Sequence, residues 1–168
     1  EEETAREILV EARKAARLNH PNVVTIYEVG VHAEGIFLAM EYIEGSTLGA
    51  WLKAAPRSRT AILAGMSAAG QGLAAAHEAG LVHRDIKPDN IIVDRRGRVR
   101  VVDFGLVRAT VTGNGRGLTP LTGAEVILGT PAYMSPEQIC GAVPTASSDL
   151  YSFCMVLYEA LFDERPID

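Results

Sequence analysis

Two short stretches decide the fold: HRDIKPDN at residues 83–90 and DFG at residues 103–105. The chain between them is apolar at residues 91–93 and rich in valine at residues 99–102, with a glycine-containing break at residues 95–97. That pattern predicts a β-hairpin. Because a hairpin returns the chain by its own length, we expect the polar side chains of the two stretches to converge on one cleft.

The side chains in that cleft have the chemistry needed beside a phosphate. Asp85, Asn90 and Asp103 offer the hard oxygen atoms that Mg²⁺ prefers, and Lys87 offers a positive charge. This combination suits phosphoryl transfer, in which most of the catalysis is positioning and charge neutralisation. An isolated Asp–Lys pair on a loop is usually a solvated surface pair worth under ~1 kcal/mol. The prediction therefore depends on the whole set, in this order and spacing.

These motifs, followed by GTPAYMSPE at residues 129–137, resemble the eukaryotic-type (Hanks-type) serine/threonine protein kinase catalytic domain, in a wording typical of bacterial members. Six fixed letters of the first motif would occur by chance in roughly one in 10⁵ chains of this size. The resemblance implies an α+β, two-lobe fold. Residues 1–43 would be the remainder of the small lobe and the hinge, and residues 44–168 a mainly helical large lobe up to its central buried helix.

The resemblance also implies catalytic roles. Asp85 matches the residue that accepts the proton of the substrate hydroxyl, and Lys87 the residue that steadies the transferring phosphate. Asn90 and Asp103 match the two magnesium ligands. Thr130 matches the threonine whose hydroxyl bridges that Asp and Lys, and together with Lys87 it indicates serine/threonine substrates. The implied cofactors are ATP and Mg²⁺, and the implied partner is a protein with Ser or Thr hydroxyls.

Nucleotide-binding residues follow from the same resemblance. Glu11 matches the helix glutamate that pairs with an ATP-contacting lysine. The backbone of Glu41 and Ile43 matches the hinge that holds adenine, with Met40 as gatekeeper. Ile92 would pack beneath the adenine. An exposed helix glutamate and a plain strand end are the alternatives for Glu11 and for the hinge.

Regulation by phosphorylation is implied at the loop that follows DFG. Arg84 matches the arginine that gathers a phosphorylated activation loop, and Thr119 and Thr122 are candidate autophosphorylation sites. Ser135 stands where the family usually has Ala, a small change that we expect to be tolerated.

Composition limits the other function classes. The 168 residues are 48% hydrophobic and 22% charged, with a net charge of −5 and a pI of about 5.4, which argues against a protein that coats nucleic acid. Two cysteines are too few for a disulfide framework, and we expect a cytoplasmic setting. Residues 60–77 carry no formal charge, but glycine and polar residues interrupt them, so we expect a buried helix and no membrane segment in this piece.

Local patterns predict the remaining elements. Ser46 or Thr47 can cap a short helix, and Gly80 ends a long one. The predicted helices are residues 1–20, 48–52, 60–79, 136–140 and 149–162. The predicted strands are residues 23–27, 36–40, 81–83, 91–93 and 99–102, with residues 30–35 as a hairpin connection.

The ends of the chain favour a piece of a longer domain. The family places a Gly-rich loop and a lysine before the helix that contains Glu11, and further helices after Asp168. We therefore expect Glu11 and Glu137 to lack their partners, and the piece alone to bind ATP weakly and turn over poorly. A pseudokinase-like scaffold and a small-molecule phosphotransferase remain alternatives, although residues 130–137 favour protein substrates.

Overall fold

The structure, a computed structural model, describes residues 2–32, 35–104 and 131–166, with the backbone alone for residues 2–8. The helices are α1 (Glu2–Arg17), α2 (Leu48–Ala54), α3 (Arg59–Glu78), α4 (Pro136–Ile139) and α5 (Ala146–Phe162). The strands are β1 (Ile26–His32), β2 (Gly35–Met40), β3 (Gly45–Thr47), β4 (Ile91–Asp94) and β5 (Val99–Val101). The expected mixture of helices and short antiparallel strands is confirmed.

Strands β1 and β2 form a two-stranded antiparallel sheet, with a register from Ile26 opposite Met40 to His32 opposite Gly35. The predicted start of the first strand is wrong. Val23 forms a parallel bridge with Val101, and the amide of Val24 donates to the Val101 carbonyl at 3.0 Å. Both valines are buried beside the second sheet, so the hairpin begins later and extends through the predicted connection.

The second sheet has the order β3-β4-β5 and is antiparallel. Its outer strand β3 was not predicted, because three residues with the sequence Gly-Ser-Thr carry no strand pattern. Thr47 lies opposite Ile92 in this sheet, and its hydroxyl also accepts the amide of Ala50 at 3.3 Å. One threonine thus ends a strand and caps α2, and of the two predicted cap residues, Ser46 and Thr47, it is Thr47 that forms the cap.

Helix α3 closely matches the prediction. The hydroxyl of Ser58 accepts the Ala61 amide at 3.1 Å and begins the helix. Gly80, with φ of +73°, follows its last turn. A Cβ atom at Gly72 would collide with the backbone of Asn22, so this glycine lets the helix approach the chain that precedes β1. Among the described residues, no helix is long and apolar enough to cross a membrane.

Helix α5 begins three residues earlier than predicted, because the hydroxyl of Ser148 accepts the Thr145 amide at 3.0 Å and caps its first turn. It packs against α3. The predicted strand at residues 81–83 is wrong, since that segment has no strand partner among the described residues and leads directly into the polar loop. One continuous apolar core joins the second sheet, α3 and α5; its members include Leu48, Met66, Leu73, Leu81, Ile86, Ile91, Val101 and Val156.

Candidate active site

A buried carboxylate from α5 holds the turn that contains HRD. Asp149 is 1% exposed, and its two oxygens accept the amides of His83 and Arg84, each at 2.7 Å. Nε2 of His77, on α3, lies 2.8 Å from the same carboxylate. Arg84 has φ of +70°, a conformation that a non-glycine residue adopts only when its surroundings impose it. The two amide hydrogen bonds supply that constraint.

The His83 ring connects this turn to the strand that leads to Asp103. Its Nε2 lies 2.8 Å from the Val102 carbonyl, and its Nδ1 accepts the Asp85 amide at 3.3 Å, so Nε2 carries the proton. Burial lowers the pKa of His83, and this effect exceeds the opposing hydrogen bond to Val102 and the nearby carboxylates. The ring is therefore neutral near pH 7 and packs on Phe104 at 4.8 Å between centroids.

Asp85, Lys87 and Asn90 form one hydrogen-bonded cluster. Nζ of Lys87 lies 2.7 Å from Oδ2 of Asp85. The side-chain nitrogen Nδ2 of Asn90 donates to the Asp85 backbone carbonyl at 2.8 Å and to Oδ2 of Asp85 at 3.3 Å. Oδ1 of Asp85 accepts no hydrogen bond from the described residues. The cluster thus orients Asp85 through one oxygen and leaves the other available to a substrate hydroxyl.

Asn90 and Asp103, the predicted magnesium ligands, are brought close along the backbone. Ile91 lies opposite Val101, and the Val102 amide donates to the Asn90 carbonyl at 2.9 Å. Asp103 follows directly, exposed and with φ of +57°. Because the Asn90 side chain uses its nitrogen on Asp85, its oxygen remains available to a cation. This donor set of one amide and one carboxylate oxygen fits Mg²⁺, which takes few protein ligands beside water and phosphate.

Glu11 and Glu137, which we expect to lack the partners that the resemblance implies, each contact another residue. The two oxygens of Glu11 lie 2.7 and 3.0 Å from the terminal nitrogens of Arg84, a bidentate ion pair between α1 and the HRD turn. The Ser148 hydroxyl donates a hydrogen bond to Oε1 of Glu137, with 2.6 Å between the two oxygens. This bond holds the pKa of the Glu137 carboxyl below its usual range. Neither contact is the one that the resemblance implies, and Arg84 lies 73 residues from Glu11 whereas Ser148 lies 11 residues from Glu137.

The predicted adenine-binding segment, residues 41–44, has no helix or strand and joins β2 to β3. The Glu41 amide donates to the Thr25 carbonyl at 2.8 Å, which attaches the segment to the chain before β1. The Glu41 carbonyl and both backbone groups of Ile43 form no hydrogen bond with other described residues. Those backbone groups are therefore available to form hydrogen bonds with the edge of a nucleotide base. Ile92 is half-buried on the neighbouring sheet.

Three residues that position the HRD turn were missed at the sequence level. These are Asp149, His77 and Gln138, whose side-chain nitrogen donates to the Arg84 carbonyl at 2.9 Å. A signal existed only for Asp149, since a carboxylate in the first turn of an otherwise apolar helix is costly to bury without a partner. The predicted residues Thr119, Thr122 and Thr130 lie outside the described residues.

Comparison with known proteins identifies the family. The protein kinase domain family matches residues 1–168, so the chain belongs to that family. It is 44% identical over 158 residues to the serine/threonine-protein kinase PknL of Mycobacterium tuberculosis and 38% identical over 159 residues to PrkC of Bacillus subtilis. These alignments cover 94% of the chain in each case, but only 38% of PknL and 24% of PrkC.

A solved structure shows the same fold. The crystal structure of the M. tuberculosis PknI kinase domain superposes with a TM-score of 0.76 at 24% identity, covering the whole of this chain and 59% of the other. The α+β kinase fold and the membership of a bacterial serine/threonine kinase group, both expected from the motifs, are therefore confirmed.

Proposed function

We propose that the protein containing this chain transfers the γ-phosphate of ATP to serine or threonine hydroxyls of proteins, and that residues 83–103 carry the chemistry. The observation that carries the proposal is the Asp85 carboxylate, which one lysine and one amide orient through a single oxygen. A carboxylate held in this way can accept a proton while its neighbouring cation neutralises phosphate charge.

In the proposed step the substrate hydroxyl oxygen bonds to the γ-phosphorus, and the bond from that phosphorus to the leaving oxygen of ADP breaks. The hydroxyl proton moves to Asp85. Lys87 balances negative charge on the transferring group. Asn90 and Asp103 would hold Mg²⁺, which supplies further neutralisation of the phosphates.

The nucleotide would bind between the two sheets. The free backbone groups of Glu41 and Ile43 suit the edge of adenine, and Ile92 would pack against its face. On this proposal residues 1–43 form the small lobe and hinge, and residues 44–168 belong to the large lobe. Thr130 would complete the serine/threonine-selective floor, and Thr119 and Thr122 remain candidate autophosphorylation sites. A cytoplasmic location, where ATP is available, belongs to the same proposal.

The experiment compares two aspartates of one loop in the full-length product of the gene. Asp85→Asn is expected to lower the rate of phosphate transfer to a basic Ser/Thr-containing protein by about 10²–10⁴-fold, because the proton acceptor is lost. Asp89→Asn, in the exposed carboxylate four residues away, is the matched control and should retain the rate. Equal rates for Asp85→Asn and the wild type would contradict the proposal.

A binding module without catalysis is the second candidate. The Glu11–Arg84 ion pair favours it, because Glu11 is occupied by a partner other than the nucleotide-contacting lysine that the family pairs with it. A full-length protein that binds ATP without transferring phosphate to protein would support this candidate. Transfer to small alcohols but not to protein would indicate a small-molecule phosphotransferase.

A further inference from the structure

Arg100 is a buried cation that the catalytic cluster does not use. It lies in the middle of β5 and is 8% exposed. One terminal nitrogen lies 3.1 Å from Oε1 of Glu41, and the other lies 3.3 Å from Oδ2 of Asp94. The guanidinium therefore bridges the hinge segment and the far end of β4.

The Asp94 end of this bridge is firmly held. Oδ1 of Asp94 accepts the backbone amides of Arg96 and Arg98 at 2.8 and 2.9 Å. Oδ2 accepts Nε of Arg98 at 2.7 Å. A carboxylate with this many donors has one orientation, so it determines where the Arg100 guanidinium lies.

The Glu41 end belongs to the segment proposed to bind adenine. Glu41 is anchored twice, by its amide on the Thr25 carbonyl and by its side chain on Arg100. Arg100 also lies directly opposite Ile92 across the β4–β5 pair, and opposed residues of an antiparallel pair share one face of the sheet. The same arginine therefore contacts the segment proposed to bind the adenine edge and neighbours Ile92, the residue proposed to pack on the adenine face.

Stability alone does not account for a buried arginine here. A buried ion pair recovers little beyond the cost of removing its charges from water, and an apolar side chain of similar size often stabilises a fold equally well. What an apolar residue cannot do is fix the distance and angle between two polar segments. The fixed geometry at Asp94 is transmitted through Arg100 to Glu41.

We propose that Arg100 is a positioning residue for the nucleotide base, holding residues 41–43 at the separation from Ile92 that a planar purine requires. The inference rests on the proposed function only in that ATP is the ligand. Arg100 acts through Glu41, so its loss should weaken nucleotide binding and base selectivity while the transfer step itself, at residues 85–103, is little affected.

The experiment uses the full-length gene product and measures equilibrium binding of a fluorescent ATP analogue, the matching GTP analogue, and kcat with protein substrate. Arg100→Met is expected to raise the Kd for the ATP analogue about tenfold, the effect of losing one or two charged hydrogen bonds. The ratio of the GTP to the ATP dissociation constant should fall towards one, and kcat at saturating ATP should change less than twofold.

Arg95→Gln is the matched control. Arg95 also pairs with a glutamate, Glu44 at 2.9 Å, but both side chains are exposed. This variant should bind both analogues as the wild type does. Arg100→Lys retains the charge but can bridge the two carboxylates less well, so its Kd for the ATP analogue should lie between those of Arg100→Met and the wild type. This variant replaces Arg100→Met in the test if Arg100→Met does not fold.

A double-mutant comparison isolates the contact itself. If Arg100 acts through Glu41, then Arg100→Met combined with Glu41→Gln should weaken binding no further than Arg100→Met alone. Unchanged dissociation constants and purine selectivity in the Met and Lys variants would overturn the inference. A wild-type protein that binds ATP but transfers no phosphate would refute the proposed function alone, since the binding measurements do not depend on transfer. A wild-type protein that binds neither analogue would overturn both.

Discussion

The HRD turn and the β1–β2 hairpin are held in place by different means. Several polar groups of the turn are bound by residues distant in sequence, such as the amides of His83 and Arg84 by the Asp149 carboxylate. The hairpin is held chiefly by its own ladder and exposes large apolar side chains, with Tyr27 69% and Val31 64% exposed. The geometry proposed for catalysis therefore depends on the core around α5 and the second sheet, and much less on the composition of the hairpin surface.

We expect the largest effect from Asp149→Ala, which removes the side chain that holds the HRD turn and so tests whether the turn depends on distant contacts. The change leaves the buried amide of His83 and the part-buried amide of Arg84 without an acceptor, which costs about 1–3 kcal/mol for a buried group, and it frees the turn that carries Asp85. We expect the free energy of unfolding to fall by about 3 kcal/mol and the transfer rate to fall at least a hundredfold.

Chemical denaturation and steady-state kinetics of the full-length protein check the Asp149 prediction. Asp149→Asn is the informative companion, because an amide oxygen can still accept one of the two amides and should retain part of the stability. An Asp149→Ala protein with wild-type activity would show that the turn does not need this carboxylate.

Acid should destabilise the second sheet through Asp94. Burial raises the pKa of this carboxyl, but the hydrogen bonds from Arg98 and Arg96 outweigh it and lower the pKa from 3.8 to about 2. A carboxyl with a lowered folded-state pKa stabilises the fold fully above its unfolded pKa, and this contribution is lost as the pH falls through the folded value. The free energy of unfolding should therefore decrease between pH 4 and pH 2.

Denaturation curves across that pH range test the acid prediction. Asp94→Asn should show a smaller decrease between pH 4 and pH 2, because the titrating group is gone. An identical pH dependence in the variant and the wild type would assign the acid sensitivity to other carboxyls.

The smallest effect concerns one substitution made in each sheet. Val31→Thr, on the exposed hairpin, should change the free energy of unfolding by no more than about 0.5 kcal/mol. Val101→Thr places the same hydroxyl at a position only 1% exposed, where an unpartnered polar group costs about 1–3 kcal/mol. The free energies of unfolding are measured by thermal or chemical denaturation. An equal decrease in the two variants would show that the two sheets do not differ in how much they depend on buried apolar side chains.

Elements with local signals could be predicted from the sequence. Ser58 and Gly80 bound α3 by capping chemistry that involves only neighbouring residues. The β4–β5 hairpin follows from its two apolar runs and the glycine-containing turn between them. Strand β3 and the true start of β1 could not be predicted, because each is defined by a partner strand elsewhere in the chain. Strand β3 is defined by its pairing with β4 around Ile92, and the start of β1 by its pairing with β2.

The sequence by itself determined the family, and the order and spacing of HRDIKPDN and DFG predict Asp85, Lys87, Asn90 and Asp103 as the reactive residues without reference to any other part of the chain. Only the tertiary structure decided what holds them: Asp149 on the HRD turn, Glu11 on Arg84, and Arg100 between Glu41 and Asp94. The physical reason is that a side chain's chemical capacity is local, whereas its hydrogen-bond and ion-pair partners are chosen by packing between distant segments. A single sequence can indicate that a carboxylate such as Asp149 needs a partner, but it does not show which residue that partner is.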